Sequence, residues 1–207
     1  MLPIILATTS HYRILAFNSL GFEFSSEPSY VDEKISERPN NIPELVQYLA
    51  KLKAQAVASK HPNEDVIIIG FDSAGYISHL NQIMEKPESR QEAFERLENL
   101  SGKSHEFYTG VHMINPKTKK QLTRLAQTNV LMRNYSEQEI KRYLDQDSKV
   151  TTCALGYDPQ MKFYSASFVK DLQGSYQSLL CGLPLEIITE MLFEITSDLN
   201  IPQKPNF

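Results

Sequence analysis

The pattern of apolar and polar positions begins with a strand, a polar turn and a helix. Residues 3–7 form a short apolar run that predicts a buried strand, and residues 8–10 carry hydroxyl groups. The next segment predicts a helix that runs through Leu20 and stops at Gly21. Because the first N–H groups of a helix have no partners within it, this turn predicts a binding site for an anion.

A second helix and a long apolar strand follow. Pro43 suits the first turn of a helix, which the pattern extends to about residue 60. Residues 66–71 form a continuous apolar run rich in β-branched side chains, which predicts a central strand. Asp72 then falls at the carboxyl end of this strand, the position where ligands bind in open α/β sheets.

The rest of the chain predicts further helices and a hairpin. Capping-box spacing at Ser89 and Ser136 indicates two helix starts. The predicted elements are a helix at about 90–99, strands at about 105–114 and 123–133 joined as a hairpin, a helix ending near 145, and a last helix starting near 184. Residues 151–174 have no clear period and predict an irregular turn between two strands. Residues 200–207 predict a loose tail.

Length and charge narrow the possible functions. A chain of 207 residues without a visible linker suits one domain over its whole length. The 21 basic and 25 acidic residues give a net charge of −4 without a basic run, which argues against a nucleic-acid surface. No apolar stretch suits a signal peptide or a bilayer span, so we expect a cytoplasmic protein without membrane contact. Cys153 and Cys181 lack metal-ligand spacing and are expected to be buried thiols.

Lys53 interrupts the apolar face of the second predicted helix. Leu45, Leu49, Lys53 and Val57 are spaced four apart, so they lie along one stripe. One interpretation is that the lysine stem packs in this stripe while the ammonium group reaches water. The other is that the ammonium group points into a binding groove.

Acidic residues supply candidate chemistry at two places. Asp72 ends an apolar strand, and an aspartate there is either a turn former or a ligand-binding group. Asp32 and Glu33 form a second acidic site, which is either a solvated loop or part of a cation site. Carboxylates from distant loops are what a hard cation such as Mg²⁺ or Mn²⁺ requires.

Two cationic residues are candidates for phosphate binding: Arg13 lies near the predicted anion site, and Lys86 lies in a predicted loop. Arg13 is in the first turn of the first helix, where a positive charge is unfavourable unless an anion neutralises it. Its guanidinium group suits phosphate oxygens. Lys86 precedes Pro87 and is therefore biased towards an extended loop conformation, and by itself it would be a surface lysine.

The order and spacing of six short segments resemble those of the Maf family of nucleoside triphosphate pyrophosphatases. The resemblance runs from about residue 4 to about residue 195. The segments are 6–13 (LATTSHYR), 31–33 (VDE), 49–54 (LAKLKA), 67–73 (IIIGFDS), 85–87 with 100–110 (EKP and LSGKSHEFYTG), and 182–185 (GLPL).

The resemblance implies a fold, an activity and a set of site residues. It implies an α/β fold with a mixed central sheet, flanking helices and a deep groove between two lobes, like inosine triphosphatase. The implied reaction cleaves the α–β phosphate bond of a nucleoside triphosphate with Mg²⁺ or Mn²⁺, and the implied assembly is a homodimer. The implied roles are catalysis by Asp72, metal binding by Glu33 and Asp72, and phosphate binding by Thr8, Ser10, Arg13, Lys53 and Lys86.

Substrate choice is implied to depend on Tyr12, Ser73 and Gln160. An aromatic residue at position 12 resembles the 7-methyl-GTP subgroup of the family, whereas an arginine there is typical of the dTTP and UTP subgroup. The chain departs from the family pattern at residues 73–75 (SAG) and in the glycine-rich stretch expected near 153–165. Because of these departures, a second function remains possible: a catalytically weak nucleotide-binding protein that acts through a protein partner in division control.

Overall fold

A computed structural model describes residues 2–33, 38–84, 86–147, 150–153, 155–158 and 165–196. Within these ranges the strands are β1 (Ile4–Ala7), β2 (Phe24–Ser26), β3 (Ile67–Ile77), β4 (Gln82–Met84), β5 (Ser104–Ile114), β6 (Gln121–Met132) and β7 (Val169–Gly174). The α-helices are α1 (His11–Asn18), α2 (Ile42–Ala58), α3 (Arg90–Leu100), α4 (Glu137–Gln146), α5 (Ser165–Phe168), α6 (Tyr176–Cys181) and α7 (Leu185–Thr196). No helix in the described ranges is long and apolar enough to cross a membrane.

The described strands form one mixed sheet in the order β2-β1-β3-β5-β6-β7, and β4 pairs with β3 beside this path. β1 is parallel to both β2 and β3, while the pairings from β3 through β5 and β6 to β7 are antiparallel. The predicted mixed α/β sheet with flanking helices is therefore confirmed. The predicted hairpin is the β5–β6 pair.

The central strand β3 is longer than the sequence predicted. Asp72 was expected at its carboxyl end, but the strand continues to Ile77 and Asp72 lies in its middle. The apolar run stops at Phe71, yet antiparallel pairing with β5 holds the backbone extended through Tyr76. β1 pairs with β3 only as far as Gly70, so Asp72 lies just beyond the carboxyl end of β1.

Strand pairing is interrupted near Asp72 on the edge of β3 that pairs with β1 and β4. Along β3, pairing with β1 ends at Gly70, and pairing with β4 begins at Gly75. Among the described strands, none pairs with residues 71–74 along this edge. Backbone groups of these residues that point to this edge are therefore available to other parts of the chain.

Helix α2 packs directly onto the backbone of the sheet. A Cβ atom on Gly70 would lie 2.1 Å from the Ala50 carbonyl oxygen, and one on Gly110 would lie 2.3 Å from the Val46 carbonyl oxygen. Only glycine fits at such a distance from another backbone. This close approach brings the next turn of α2, with Lys53, over the middle of β3.

The buried apolar residues of the described ranges form four clusters, and two of them contribute to a cleft. One cluster joins Met84 of β4 with α3 and α4, and it includes Leu97 and Tyr143. Another joins β1, β3 and β5 with α7, and it includes Phe71 and Leu183. A cleft of about 260 Å³ is lined by residues from both of these clusters, which confirms the predicted groove between two lobes.

Helix boundaries near the site follow local signals. Asn41 caps α2 through its side chain, and Ser136 and Glu139 form the predicted capping box of α4. In the segment predicted as two strands with a turn, the described residues contain one strand, β7, after the short helix α5. The sequence did not predict α6. The predicted tail, residues 200–207, lies outside the described residues.

Candidate active site

Lys53 lies between two carboxylates in the middle of the molecule. Its Nζ is 2.5 Å from Asp72 Oδ1 and 2.9 Å from Glu33 Oε1. Lys53 and Asp72 are 9% and 8% exposed, whereas about half of the Glu33 side chain is exposed. The interpretation in which the Lys53 ammonium group reaches water is therefore wrong, because the group is buried against Asp72.

The neighbours of Lys53 on its helix explain this burial. Leu45, Leu49 and Val57 of the same stripe are buried, so the ammonium group lies at the edge of an apolar layer. A buried ammonium group requires a partner of opposite charge. Asp72 supplies it from β3, because even-numbered residues of that strand face α2 beside Gly70.

The Asp72 carboxyl group has an unusual environment. Burial raises its pKa, while the charges of Lys53 and then Arg13 act in the opposite direction without cancelling the effect of burial. A carboxyl group with a raised pKa is a stronger base when it is ionised, and such groups are common at catalytic positions. From its place after an apolar run, the sequence left Asp72 as either a turn former or a ligand-binding group, and the strand continues beyond the end of that run.

The turn after β1 holds its hydroxyl groups against the backbone. Thr8 Oγ1 accepts a hydrogen bond from the Ser10 N–H at 3.1 Å. Ser10 caps α1, and its side chain accepts from the Arg13 N–H at 3.5 Å. Thr8 is buried, while Ser10 lines the cleft. The predicted turn and helix start are thus present, and phosphate binding by Thr8 and Ser10 remains a prediction.

Arg13 is joined to groups that the sequence did not associate with it. Its Nε donates to the Gly182 carbonyl oxygen at 3.1 Å, Nη1 to the Phe71 carbonyl oxygen at 3.4 Å, and Nη2 to Ser73 Oγ at 3.0 Å. Burial lowers the pKa of Arg13, and the nearby Asp72 charge opposes this shift. Arg13 lines the cleft, but its guanidinium group also connects α1 with β3 and the turn before α7.

Ser73 is connected by hydrogen bonds to two buried hydroxyl groups, those of Thr109 and Ser178. Ser73 Oγ lies 2.8 Å from Thr109 Oγ1, and Ser178 Oγ donates to the same Thr109 atom at 2.8 Å. Thr109 and Ser178 are completely buried, whereas Ser73 lines the cleft. These hydrogen bonds therefore fix the Ser73 side chain from beneath. Sequence analysis missed Thr109 and Ser178, since hydroxyl residues carry no signal that they face one another.

The other wall of the cleft comes from the region around α4. Tyr12 Oη donates to Asp158 Oδ2 at 3.1 Å across the cleft, and Asp147 and Cys153 also line it. Lys86 is exposed and lines the cleft as well, as a phosphate-side cation would. Gln160, the third predicted specificity residue, lies outside the described residues.

The loop that leads to Glu33 is held by the end of α2. His61 contacts Glu27 Oε1 at 2.9 Å and Glu64 Oε2 at 3.1 Å, and Lys60 Nζ donates to the Pro28 carbonyl oxygen at 3.0 Å. Burial lowers the pKa of His61, but the hydrogen bonds to Glu27 and Glu64 outweigh burial and raise it above its usual value.

We expect this cluster to make stability depend on pH. Since the His61 pKa is raised by folding, its stabilising contribution is complete below the unfolded-state pKa and is lost as pH rises through the folded-state pKa. For such a solvent-accessible cluster the loss should be about 0.2–1 kcal/mol. Urea unfolding at several pH values should show this loss in the unchanged protein and in a His79→Gln control, but not in His61→Gln. Equal pH dependence in all three proteins would contradict the assignment.

Fold and site together define an α/β protein with a cleft that Arg13 and Lys86 line and with a buried carboxylate–lysine pair, Asp72 and Lys53. The model of one family, described as Maf-like protein, matches residues 3–195. The chain therefore belongs to the Maf-like family, as the sequence segments indicated.

Curated relatives of this chain carry different substrate names. A 7-methyl-GTP pyrophosphatase of Syntrophotalea carbinolica is 32% identical over 194 residues, covering 91% of this chain and 92% of the relative. A dTTP/UTP pyrophosphatase of Alkaliphilus oremlandii is 34% identical over 185 residues, covering 89% and 92%. The relatives agree on pyrophosphatase activity and differ on the nucleotide.

A solved structure gives a weaker match. The nucleoside-triphosphatase (dITP/XTP pyrophosphatase) of Mycobacterium abscessus aligns with a TM-score of 0.45 and 11% identity, covering 97% of this chain and 100% of that one.

Proposed function

We propose that this protein is a nucleoside triphosphate pyrophosphatase that cleaves the α–β phosphate bond and releases a nucleoside monophosphate and pyrophosphate. The observation that carries the proposal is the buried Asp72 carboxylate, which contacts Lys53. Asp72 does not itself line the cleft, but its charge interacts with that of Arg13, which does, and Lys86 also lines the cleft. In phosphoryl transfer the protein contributes mainly charge neutralisation and a positioned water molecule, because it takes little part in the covalent chemistry itself. The family membership and the names of the relatives support the same reaction.

Each residue has a role in this proposal. Asp72 orients the attacking water or removes its proton, and its raised pKa suits a base. Lys53, Arg13 and Lys86 neutralise phosphate charge, while Thr8 and Ser10 bind phosphate oxygens at the start of α1. Lys53 holds Asp72 in place as well, since the two groups are in direct contact.

Glu33 and Asp72 fit a divalent cation. Their carboxylate oxygens converge on a single cationic atom, Lys53 Nζ, although they come from separate elements. Within the described residues no cluster of three or more His, Cys, Asp or Glu side chains is arranged to hold a metal. Mg²⁺ needs only one or two carboxylates when water and substrate phosphates complete its coordination, and Mn²⁺ accepts the same oxygen ligands. A bound cation would neutralise phosphate charge and make a coordinated water more acidic.

The proposed substrate is 7-methyl-GTP or another modified nucleotide. Tyr12 lines the cleft and is 41% exposed, so part of this residue is accessible to a ligand. N7-methylation gives guanine a delocalised positive charge, and an aromatic face attracts such a cation by about 0.5–2 kcal/mol. The relative from Syntrophotalea carbinolica is named for this substrate.

A panel of nucleotides tests this proposal. We expect 7-methyl-GTP to be hydrolysed faster than GTP, dTTP or UTP in a pyrophosphate-release assay with Mg²⁺ or Mn²⁺. Tyr12→Ala should narrow the gap between 7-methyl-GTP and GTP by about 2- to 30-fold while the common rate falls less. If dTTP or UTP is the best substrate, or if Tyr12→Ala lowers all rates equally, the stacking role of Tyr12 is wrong. Absence of turnover with every nucleotide would favour the catalytically weak binding protein.

A further inference from the structure

Hydrogen bonds around Arg13 form a closed ring that joins α1, β3, β5 and α6. Arg13 donates from Nε to the Gly182 carbonyl oxygen and from Nη2 to Ser73 Oγ. Ser73 Oγ contacts Thr109 Oγ1, and Ser178 Oγ donates to the same Thr109 atom. Gly182 is the C-cap of α6, and its N–H donates to the Ser178 carbonyl oxygen at 2.8 Å, which completes the ring. The proposed reaction uses Arg13 but gives no role to Thr109 or Ser178.

The sheet and the α6 cap hold the members of this ring close together. Ser73 and Thr109 lie directly opposite each other in the β3–β5 ladder, so their side chains share one face of the sheet. A Cβ atom on Gly182 would lie 2.8 Å from Ser73 Oγ and 3.1 Å from Arg13 Nη2. The Gly182 backbone therefore packs against both of these groups. Strands position side chains more precisely than loops do, so the contact between Ser73 and Thr109 is well defined.

The hydrogen bond between Thr109 and Ser73 has a favoured direction. A hydroxyl group has one proton and two acceptor positions. Thr109 is completely buried, and its oxygen already accepts a proton from Ser178. If Ser73 also donated to it, the Thr109 proton would be buried without an acceptor among the described residues, which is unfavourable. Thr109 therefore donates to Ser73.

This direction determines what Ser73 offers to its other neighbours. The Ser73 oxygen accepts from Thr109 and from Arg13 Nη2, so both of its acceptor positions are filled. Its own proton then points away from these two donors. The carbonyl oxygens of Gly182 and Phe71 bind the other nitrogens of the Arg13 side chain. Ser73 is thus the side-chain partner of a guanidinium group that is otherwise held by backbone atoms.

We infer that Thr109 is a positioning residue for Arg13: through its hydrogen bond to Ser73, it fixes the plane in which the guanidinium group meets the phosphate groups of the ligand. Ser178 supports this role, because its proton makes Thr109 the donor to Ser73. The inference rests on the proposed function, since it concerns how Arg13 is presented to phosphate. A guanidinium group binds phosphate through paired N–H donors, so rotation of its plane weakens the contact.

The substitution Thr109→Val tests this role, because it replaces the hydroxyl group with a methyl group of similar size. We expect KM for 7-methyl-GTP to rise about 10-fold and kcat to change by less than about 3-fold, since Arg13 binds phosphate in the ground state and the transition state alike. The Kd of inorganic pyrophosphate, measured by calorimetry, should rise by a similar factor.

Thr109→Ser provides a rescue that a purely structural role would not produce. This variant keeps the hydroxyl group and loses a buried methyl group, so its melting temperature should fall. KM and the pyrophosphate Kd should nevertheless stay within about 2-fold of those of the unchanged protein, because the hydrogen bond to Ser73 is kept. If both constants follow the melting temperatures of the variants instead, Thr109 only stabilises the fold.

Thr128 supplies a matched control on the neighbouring strand β6. It is completely buried, and its Oγ1 donates at 3.0 Å to the carbonyl oxygen of Ser175, the N-cap of α6. Thr128→Val thus removes a buried hydroxyl group that also holds α6 but lies outside the ring. KM and the pyrophosphate Kd should stay within about 2-fold of their normal values. Increases equal to those of Thr109→Val would mean that the position of α6 is responsible, which contradicts the inference.

A double variant tests whether Thr109 acts through Ser73. Ser73→Ala removes the side-chain partner of Arg13, so it should raise KM at least as much as Thr109→Val does. Adding Thr109→Val to Ser73→Ala should cause no further increase, because residues that act through one network are not additive. If the two increases multiply, Thr109 does not position Arg13 through Ser73.

Pyrophosphate binding separates this inference from the proposed function. If no nucleoside triphosphate is hydrolysed, the proposed function fails, and the calorimetric Kd values still test the role of Thr109. A weaker affinity in Thr109→Val that is restored in Thr109→Ser would support the inference. An unchanged affinity in Thr109→Val, or no pyrophosphate binding by the unchanged protein, would overturn it.

Discussion

Replacing Asp72 with Asn is expected to lower pyrophosphate release by about 100-fold or more, because the amide keeps the shape of the side chain but cannot accept a proton. The effect should appear in kcat, since Asp72 acts on the attacking water rather than on the nucleotide. Lys53 retains its contact with Glu33 in this variant, so the site keeps an ion pair. Pyrophosphate release should be measured with 7-methyl-GTP and GTP under saturating conditions.

A matched variant just before the same strand provides the control. Asp65 precedes β3 at its other end and binds Asn115 and Lys117 in the hairpin turn, away from the cleft. Asp65→Asn should therefore retain normal turnover, even if its melting temperature falls slightly. A folded Asp72→Asn protein with near-normal activity would remove Asp72 from the mechanism.

The position of Asp72 shows what an apolar pattern can and cannot predict. The run at residues 66–71 correctly predicted a central strand, because burial on both faces requires continuous apolar side chains. The pattern ended at Asp72, but the strand did not, since its further length depends on pairing with β5 and β4. Such pairing involves residues distant in sequence and leaves no local signal in β3.

The same distinction applies to the cationic residues. Lys53 was recognised as unusual because its spacing places it on an apolar stripe, and that signal lies within a single helix. The contacts of Arg13 with Phe71, Ser73 and Gly182 join segments up to 169 positions apart. Helix start rules predicted that Arg13 needs negative partners, but they could not identify carbonyl oxygens as those partners. The resemblance to a family indicated the residue without its geometry.

The two acidic residues that line the cleft, Asp147 and Asp158, were missed for a related reason. Asp158 lies in residues 151–174, the stretch without apolar periodicity, where sequence patterns give least information. Asp147 comes directly after α4. Their position depends on Tyr143, which reaches both residues from α4. A tyrosine on a buried helix face is normally explained by packing, so nothing in the sequence connects it with polar groups.

Replacing Lys53 with Met is expected to reduce both activity and stability. The thioether fits an apolar stripe, but the buried Asp72 carboxylate loses its partner at 2.5 Å. Removing one member of a buried ion pair costs about 3–5 kcal/mol when the other charge stays in place. Urea unfolding near neutral pH should show a loss of this order. Lys51→Met, an exposed change two positions away on α2, should leave stability nearly unchanged.

The pH dependence and a second substitution identify the cause of that loss. The folded-state pKa of Asp72 is already raised by burial, and loss of the Lys53 charge would raise it further. The stability deficit of Lys53→Met should therefore be complete above this folded-state pKa and shrink as pH falls through it, because protonation removes the buried charge. Adding Asp72→Asn removes the charge at every pH, so the double variant should recover most of the lost stability near neutral pH. If the double variant is as unstable as Lys53→Met, the lysine stabilises the fold through packing of its stem and not through its charge.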